Sequence, residues 1–440
     1  MHPTQLLSLL PAAAAAAAAA TTPQHHHPPP ANGCTGQQAE LQGGNHYCRE
    51  VRHIRYRGFA QRGSYDEVVD MPANGSCGFR QRRFEGSLAP LDEDLSLHIR
   101  GPIHLRAAAV YTLDKGRHPP DRKIKRHHHR LKRAEWVHAT IDGQVVSWEN
   151  NYFGPTTVPT PPEAPALPDF VPAPPPDEPL AVGETTTTTV TETVTSTAVP
   201  GPEETPGAAW RRVARYDAGS QSVENMRFLG NYGGQESGVW SKRYGNSLAY
   251  LSADGHSGSA SPETLQDKVL PSNKEFAIFS AEECDESCGF SRAHDVSYKG
   301  FGGANKIFLL RFSMPLDGTK EDMPAIWLLN GRIPRTVQYG DCSCWTSRCG
   351  EVDVFEALEA GGIKCKSTFH LSRRGGSSDW FKRPTDGYIT VAVVFHQDTA
   401  SVTIKILPDY DDFAKSIDDR TVHDWMDGGE ERTLFEFNGS

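Results

Sequence analysis

The chain has 440 residues, 32 prolines, nine cysteines and a formal net charge of −10. Its length is sufficient for two domains, and its proline content indicates a substantial segment without a packed core. The negative charge gives no electrostatic reason to expect binding to nucleic acid, so we expect no partner of that class.

The first twenty residues have the pattern of a secretion signal. An apolar run from Leu6 to Leu10 precedes an alanine tract that ends at Ala20 with the small residues that signal peptidase accepts. We therefore predict a signal peptide over residues 1–20 and a secreted protein. The alternative is a low-complexity leader on a cytosolic protein, because the run has no Lys or Arg before it. The apolar stretch is shorter than the roughly 18 residues of a spanning helix, so we expect no membrane span.

Two β-rich regions are predicted on either side of a spacer. In the first, over residues 47–153, apolar and polar residues alternate between positions 95 and 100, as in a strand with one buried face. Residues 154–206 are rich in Pro and Thr, which predicts an extended, disordered linker without a core. The linker is expected to separate two independent units.

The region from 210 to 437 predicts the larger domain. Residues 306–312 have the pattern of a buried strand, and the segments 389–395 and 401–407 flank a short polar loop, as in an antiparallel hairpin. Many strands with Gly- and Pro-rich connections predict an all-β fold. We expect a C-terminal β-jelly-roll sandwich whose concave face forms an open cleft for a polymer, preceded by the smaller β-rich domain.

Three carboxylates lie within six residues in a segment that favours a β-strand. Side chains alternate along a strand, so Glu351 and Asp353 point to one face and Glu356 to the other. A β-bulge near Val354 or Phe355 would rotate Glu356 back to the face of the other two acids. The sequence therefore predicts a bulge at this point.

Two glutamates that face one small space suit the cleavage of a glycosidic bond with retention, in which the carboxyl groups are about 5–5.5 Å apart. We assign Glu351 as the nucleophile. Neighbouring negative charge raises the pKa of the second glutamate, so Glu356 is assigned as the acid/base. Asp353 is placed to hydrogen-bond the nucleophile and orient it. The alternative is that these acids only decorate the solvent face of a strand.

A second segment strengthens the catalytic hypothesis. The acidic strand and the upstream sequence Met323-Pro-Ala-Ile-Trp-Leu-Leu-Asn330 together resemble the laminarinase-like glycoside hydrolases, retaining β-glucanases that carry E-x-D-x-x-E after P-A-x-W-L-L. The resemblance implies a β-jelly roll and the same three roles for the acids. Met323 stands where these enzymes usually have Trp. We expect no cofactor and no metal.

A narrower resemblance covers most of the chain. Segments between Gly58 and Ser96, together with the segments 349–353, 364–370 and 376–385, resemble the fungal Tos-type (target-of-SBF) cell-wall proteins. This resemblance implies a secreted fungal wall protein that acts on β-1,3-glucan. We predict an endo-β-1,3-glucanase that works as a monomer. The alternatives are a glucan transglycosylase in wall remodelling and a non-catalytic glucan-binding wall protein.

The cysteines also indicate secretion, because their clusters are unusual in a reducing cytosol unless they hold metal. Around the acidic segment their spacing is C-x-C-x4-C, which lacks the paired C-x-x-C motifs of a zinc site, so we favour disulfides. The C-terminal domain has six cysteines, enough for three bridges, and a bridge at Cys349 would stiffen the acidic strand. The N-terminal part of the chain has three, Cys34, Cys48 and Cys77, so one is free or pairs outside its domain.

Aromatic side chains are candidates for the sugar subsites, since sugar rings present apolar C–H faces. Trp327 is the strongest candidate, because the matching Trp of the resembled enzymes faces the cleft. His370 is a candidate hydrogen-bond partner for substrate near the acid/base, with a structural histidine as the alternative. The other candidates, for each of which core packing is the alternative, are Trp345, Trp380 and Phe381.

Overall fold

The computed structural model describes residues 39–113, 136–141, 144–149, 208–427 and 432–437. The predicted signal peptide and linker lie outside these residues. Before the linker the strands are β1 (Glu40–Gln42), β2 (Asn45–Tyr47), β3 (His53–Arg57), β4 (Arg62–Asp70), β5 (Gly78–Glu85), β6 (Leu95–Arg100), β7 (His104–Leu113), β8 (Trp136–Ile141) and β9 (Gln144–Glu149).

After the linker the structure is again almost entirely β. The strands are β10 (Ala208–Asp217), β11 (Ser222–Glu224), β12 (Arg227–Gly230), β13 (Trp240–Ser241), β14 (Gly245–Asn246), β15 (Ala249–Leu251), β16 (Gly258–Ser259), β17 (Glu275–Phe279), β18 (Lys306–Ser313), β19 (Ala325–Asn330), β20 (Glu351–Ala357), β21 (Lys364–Phe369), β22 (Phe381–Lys382), β23 (Ile389–His396), β24 (Ser401–Leu407), β25 (Ser416–Asp418) and β26 (Arg432–Glu436). Short 3₁₀ turns cover Glu286–Cys288 and Cys344–Ser347, and one α-helix, α1, covers Asp419–Asp427.

Two nine-stranded sheets dominate the described structure. Sheet 1 has the order β11-β10-β7-β18-β23-β24-β3-β26, with β25 also paired to β10. Sheet 2 has the order β16-β15-β12-β17-β6-β19-β20-β21-β22. Neighbouring strands are antiparallel except for β3 and β26, which are parallel. The hairpin β8–β9 pairs only within itself among the described strands.

The hydrophobic core lies between these sheets. One cluster of buried side chains joins Phe308 and Val393 of sheet 1 to Leu97, Ile326 and Val352 of sheet 2. Because strand side chains alternate, the same strands of sheet 2 send their other residues to the outer face. The two sheets therefore form a sandwich, and the residues on the outer face of sheet 2 lie outside this core.

The prediction of two independent units was wrong for the strands on either side of the linker. Strands β3 and β7 lie inside sheet 1, and β6 lies inside sheet 2 between β17 and β19. The N-terminal strands thus share one core with the C-terminal strands. Strand pairing acts through space, and the composition of the linker, which lies outside the described residues, carries no information about it.

Several local predictions are confirmed. The buried strand at 306–312 is β18, and the predicted hairpin is β23–β24, which pair in antiparallel register. The alternating segment 95–100 is β6, but both of its faces are covered, since Ser96 and His98 are as buried as their apolar neighbours.

Helix α1 was not predicted. It is only nine residues long, and its buried Val422, Trp425 and Met426 pack with Trp210 of sheet 1. A helix this short has little stability of its own, so packing decides its formation. No described helix has the length and apolarity needed to cross a membrane.

Candidate active site

The predicted bulge is present in β20. Trp327 of β19 pairs with Asp353, whereas the preceding residue, Ile326, pairs with Phe355, so Val354 is an extra residue on β20. The pairing with β21 shifts at the same point, between Asp353 and Glu356. The alternation of side chains between the two faces of the strand therefore shifts by one residue between Asp353 and Glu356.

The bulge brings all three acids to the outer face of sheet 2. Ala325 of β19 pairs with both Glu356 and Arg100, and the Arg100 guanidinium lies 3.4 Å from a Glu356 carboxylate oxygen. Glu351 and Asp353 are 5% and 6% exposed, while the Glu356 side chain is 26% exposed. The first two acids are thus enclosed, and the third lies at an opening.

Glu351 is held by two donors from the loop between β19 and β20. The Tyr339 hydroxyl donates to one carboxylate oxygen at 3.1 Å, and the Trp345 indole N–H donates to the other. Burial and the neighbouring Asp353 carboxylate raise the pKa of Glu351 to about 7, against the effect of these donors. Gly350, with a φ of +128°, directly precedes this glutamate and starts the strand in a conformation that favours glycine.

Glu356 has a similar electrostatic environment, in which Arg100 supplies a nearby positive charge. Burial and the Asp353 carboxylate raise its pKa to about 7, Arg100 opposes this rise, and the charge of Glu351 adds to it. Two carboxyl groups that repel each other in this way bind one proton between them over a range of pH. The pair can therefore present one carboxylate and one carboxylic acid at the same time.

The Asp353 side chain is hydrogen-bonded to His370, whereas no hydrogen bond between Asp353 and Glu351 is present among the described residues. The His370 Nε2 lies 2.9 Å from an Asp353 carboxylate oxygen. Burial lowers the pKa of His370, but the Asp353 carboxylate, its hydrogen bond and the two glutamates raise it to about 9. A protonated His370 therefore offsets part of the negative charge at this site.

The matching family models and the related proteins indicate the same protein family. The models of the C-terminal and N-terminal parts of cell wall protein YJL171C/Tos1 match residues 208–425 and 52–113. A protein of Arthroderma benhamiae called a probable circularly permuted 1,3-β-glucanase is 39% identical over 409 residues, which cover 86% of this chain and 90% of that protein. The chain belongs to the YJL171C/Tos1 family of cell wall proteins.

Two further relatives of this YJL171C/Tos1 family member are called probable circularly permuted 1,3-β-glucanase TOS1. The protein of Candida albicans is 36% identical, with 88% of this chain and 92% of that protein covered. The protein of Saccharomyces cerevisiae is 37% identical, with 87% and 92% covered. No solved structure gives a significant match.

The structure places the aromatic candidates in different surroundings. Trp327 lies on the outer face next to Asp353, with its ring centroid 5.3 Å from that of His98 and 5.7 Å from the Arg100 guanidinium carbon. It is only 4% exposed, and its indole N–H has no hydrogen-bond partner among the described residues. Trp345 donates a hydrogen bond to Glu351, the candidate nucleophile.

The other two candidates lie toward the edge of sheet 2. Trp380 is half-buried next to β22, and its ring is 5.5 Å from the Lys364 ammonium. Among the described residues, Trp380 makes no hydrogen bond or ring contact with the three acids. Phe381 is fully buried in the core and stacks on Phe355, so its proposed place in a sugar subsite was wrong.

Sequence reasoning missed two residues of the site. Arg100 was counted only as a polar position in an alternating strand, and its contact with Glu356 depends on the pairing of β6 with β19. Tyr339 lies in a loop without a recognisable pattern. Its distance of twelve residues from Glu351 carries no signal of contact, so only the folded loop reveals it.

Three disulfides are described. They join Cys284 to Cys288, Cys344 to Cys349, and Cys77 to Cys342. Cys349 forms a bridge, with Cys344, and the Cys77 bridge accounts for one of the three N-terminal cysteines. Cys365 is a buried free thiol, so the six C-terminal cysteines do not form three bridges among themselves. Among the described residues no group of three or more potential ligands could hold a metal ion.

Proposed function

We propose that this protein is a secreted, retaining endo-β-1,3-glucanase that acts on glucan of the fungal cell wall. The observation that carries the proposal is the bulge at Val354, because it brings Glu356 to the face that holds Glu351 and Asp353. The names of the relatives support the substrate class. Those names also describe circular permutation, which agrees with N-terminal strands in the interior of both sheets. We assign the sandwich to the jelly-roll class.

In the first step, the Glu351 carboxylate attacks the anomeric carbon of the sugar. The bond to the leaving oxygen breaks, and the Glu356 carboxylic acid gives its proton to that oxygen. Tyr339 and Trp345 bind the two oxygens of Glu351 and limit its rotation. Their donors favour the ionised form, which suits Glu351 to the role of nucleophile.

In the second step, Glu356 is ionised and acts as a base. It takes a proton from water while the water oxygen attacks the anomeric carbon and the bond to Glu351 breaks. The greater exposure of Glu356 supports this role, since water reaches it more readily than Glu351. The positive charge of the protonated His370 offsets the negative charge of the Asp353 carboxylate during both steps.

We assign the outer face of sheet 2 as the glucan-binding face. Trp327, with its unpartnered indole N–H, is proposed to bind sugar close to the acids, and His370 to bind substrate near the acid/base. Trp380 is proposed for a more distant subsite at the sheet edge. The protein is proposed to act as a monomer without a cofactor.

The test is a comparison of the purified protein with a Glu351→Gln variant on laminarin. Shorter oligosaccharides from the wild type alone, with the β-anomer formed first in an NMR time course, support the proposal. Longer products indicate transglycosylation by the same residues. Retained binding to laminarin without any product from either protein contradicts catalysis and supports a structural wall protein.

A further inference from the structure

The loop 331–350 between β19 and β20, here called the clamp loop, carries both donors to Glu351. Tyr339 is 40% exposed, and its ring meets that of Trp345 edge-on with centroids 5.5 Å apart. An exposed side chain gains little positional accuracy from packing. The position of these donors therefore depends on what anchors the loop backbone.

The anchors come from the β4–β5 hairpin, which lies outside both large sheets. The disulfide between Cys77 and Cys342 joins the turn of the hairpin to the clamp loop. Ser347 accepts a hydrogen bond from the Asp66 backbone N–H at 2.9 Å and donates one to the Asp66 carbonyl at 3.3 Å.

Two further contacts complete this attachment. The Arg332 guanidinium forms an ion pair with Glu67 at 3.1 Å, and the Glu67 side chain is only 3% exposed. Tyr65 and Phe84 of the hairpin belong to one apolar cluster with Cys344, Cys349 and the partly buried Trp345. The hairpin thus contacts the clamp loop at its start, middle and end.

The clamp loop is also attached outside the hairpin, since Arg332 and Arg335 donate to the Cys288 carbonyl at 3.0 and 3.1 Å. The Gln338 amide donates to Glu275 of β17 at 2.9 Å, and Ser343 donates to the Gln338 carbonyl at 3.2 Å. The short bridge between Cys344 and Cys349 fixes only the turn before β20. Tyr339 lies between these points, three residues before the cysteine that is bonded to the hairpin.

We propose that the β4–β5 hairpin is a positioning element for Glu351, which acts through the Cys77–Cys342 disulfide by fixing the clamp loop and its two donors. The inference rests on the proposed function for the role of Glu351 as nucleophile. Cys77 and Cys342 are positioning residues, since neither contacts the acids. A segment that comes before the linker thereby sets the geometry of a glutamate that follows it by more than 200 residues in the chain.

The experiment uses the full chain with both cysteines replaced, Cys77→Ser/Cys342→Ser. The matched control is Val393→Ala, which opens a small cavity in the core beside sheet 1 and lowers overall stability away from the clamp loop. We expect the kcat on laminarin to fall about tenfold in the first variant, with KM within about twofold, because misplaced catalytic groups lower the chemical step. The acid limb of the kcat/KM profile moves to higher pH, since the lost donors no longer favour the Glu351 carboxylate. The control keeps both properties.

A second variant separates positioning from general stability. Tyr339→Phe removes one donor without opening the bridge and is expected to shift the acid limb in the same direction. Combined with Cys77→Ser/Cys342→Ser it adds little, because both changes act on the same contact. An unchanged acid limb in the cysteine variant, or full additivity of the two changes, would overturn the proposal.

Hydrogen exchange distinguishes this inference from the proposed function. Backbone amides of residues 336–349 are expected to exchange faster in Cys77→Ser/Cys342→Ser than in the wild type or the control. If the wild type has no glucanase activity, the proposed function fails, and the exchange measurement still decides whether the hairpin holds the loop. Unchanged exchange of this segment would reject the positioning role in either case.

Discussion

The guanidinium of Arg100 lies 3.4 Å from the carboxylate of Glu356, although 256 residues separate the two in the chain. Arg100 comes from β6, before the linker, and Glu356 from β20, after it. A residue from before the linker thus lies beside the candidate acid/base, because strand β6 is part of sheet 2. Arg100 also donates to the Met323 carbonyl at 2.9 Å, which fixes its direction.

Replacement of Arg100 with Gln is expected to raise the pKa of Glu356. The arginine opposes the effect of burial and of the neighbouring carboxylates, so its loss makes ionisation harder. The basic limb of the kcat/KM profile then moves to higher pH, by less than about one unit, since the Arg100 side chain is 34% exposed and solvent screens it. Arg100→Lys keeps the charge and serves as the control. A basic limb that stays in place in Arg100→Gln contradicts the assignment of Glu356 as the acid.

The wild-type enzyme is expected to show a bell-shaped pH dependence centred near neutrality. Glu351 and Glu356 both have a pKa raised to about 7, and their repulsion splits the two proton losses into one below and one above this value. Below the lower value the nucleophile is protonated, and above the higher one the acid has lost its proton. Initial rates on laminarin between about pH 4 and 10 measure both limbs. A single limb over this range would show that the two glutamates do not act as a pair.

Glu356→Gln is expected to reduce kcat by about 10²- to 10⁴-fold and to stabilise the protein. A carboxyl group with a raised pKa binds its proton more tightly in the folded state than in the unfolded one. It therefore costs stability as the pH rises from about 4.5 to about 7. The neutral amide removes this cost, so the free energy of unfolding rises by about 1–3 kcal/mol at pH 8.

Thermal unfolding of both proteins at pH 8 and pH 4 checks this expectation. At pH 4 the wild-type Glu356 is protonated in both states, so the difference between the two proteins should nearly vanish. Glu359→Gln, a nearby acid outside the site, is the control for a simple loss of negative charge. Equal stabilisation by both substitutions at pH 8 would argue against a burial effect specific to Glu356.

Replacement of Asp353 and replacement of His370 should shift the pH profile of kcat/KM in opposite directions. The Asp353 charge raises the pKa of both glutamates, and the His370 charge lowers it. Asp353→Asn is therefore expected to move the acid limb to lower pH, and His370→Gln to move it to higher pH, each by about one unit. The kcat of each variant should fall about tenfold through lost orientation. Shifts of the same sign would show that the ion pair acts only as a structural link.

The local chemistry of this protein was determined by short stretches of its sequence. The odd spacing between Asp353 and Glu356 required a bulge for all three acids to meet, and the register of β19, β20 and β21 contains one. Strands β18, β23 and β24 could also be predicted from the sequence, because period-two alternation and continuous apolar runs reflect backbone geometry within a few residues.

The tertiary structure alone decided which strands are neighbours. It placed β6 between β17 and β19, brought Arg100 to Glu356, and joined Cys77 to Cys342 across the linker. It also showed that Trp345, a candidate for a sugar subsite, donates a hydrogen bond to Glu351. Such contacts depend on pairing between distant segments, whose free energy comes from a shared core and not from any local pattern. The acids and His370 could therefore be found in the sequence, whereas the roles of Arg100 and Tyr339 beside the glutamates became visible only in the folded chain.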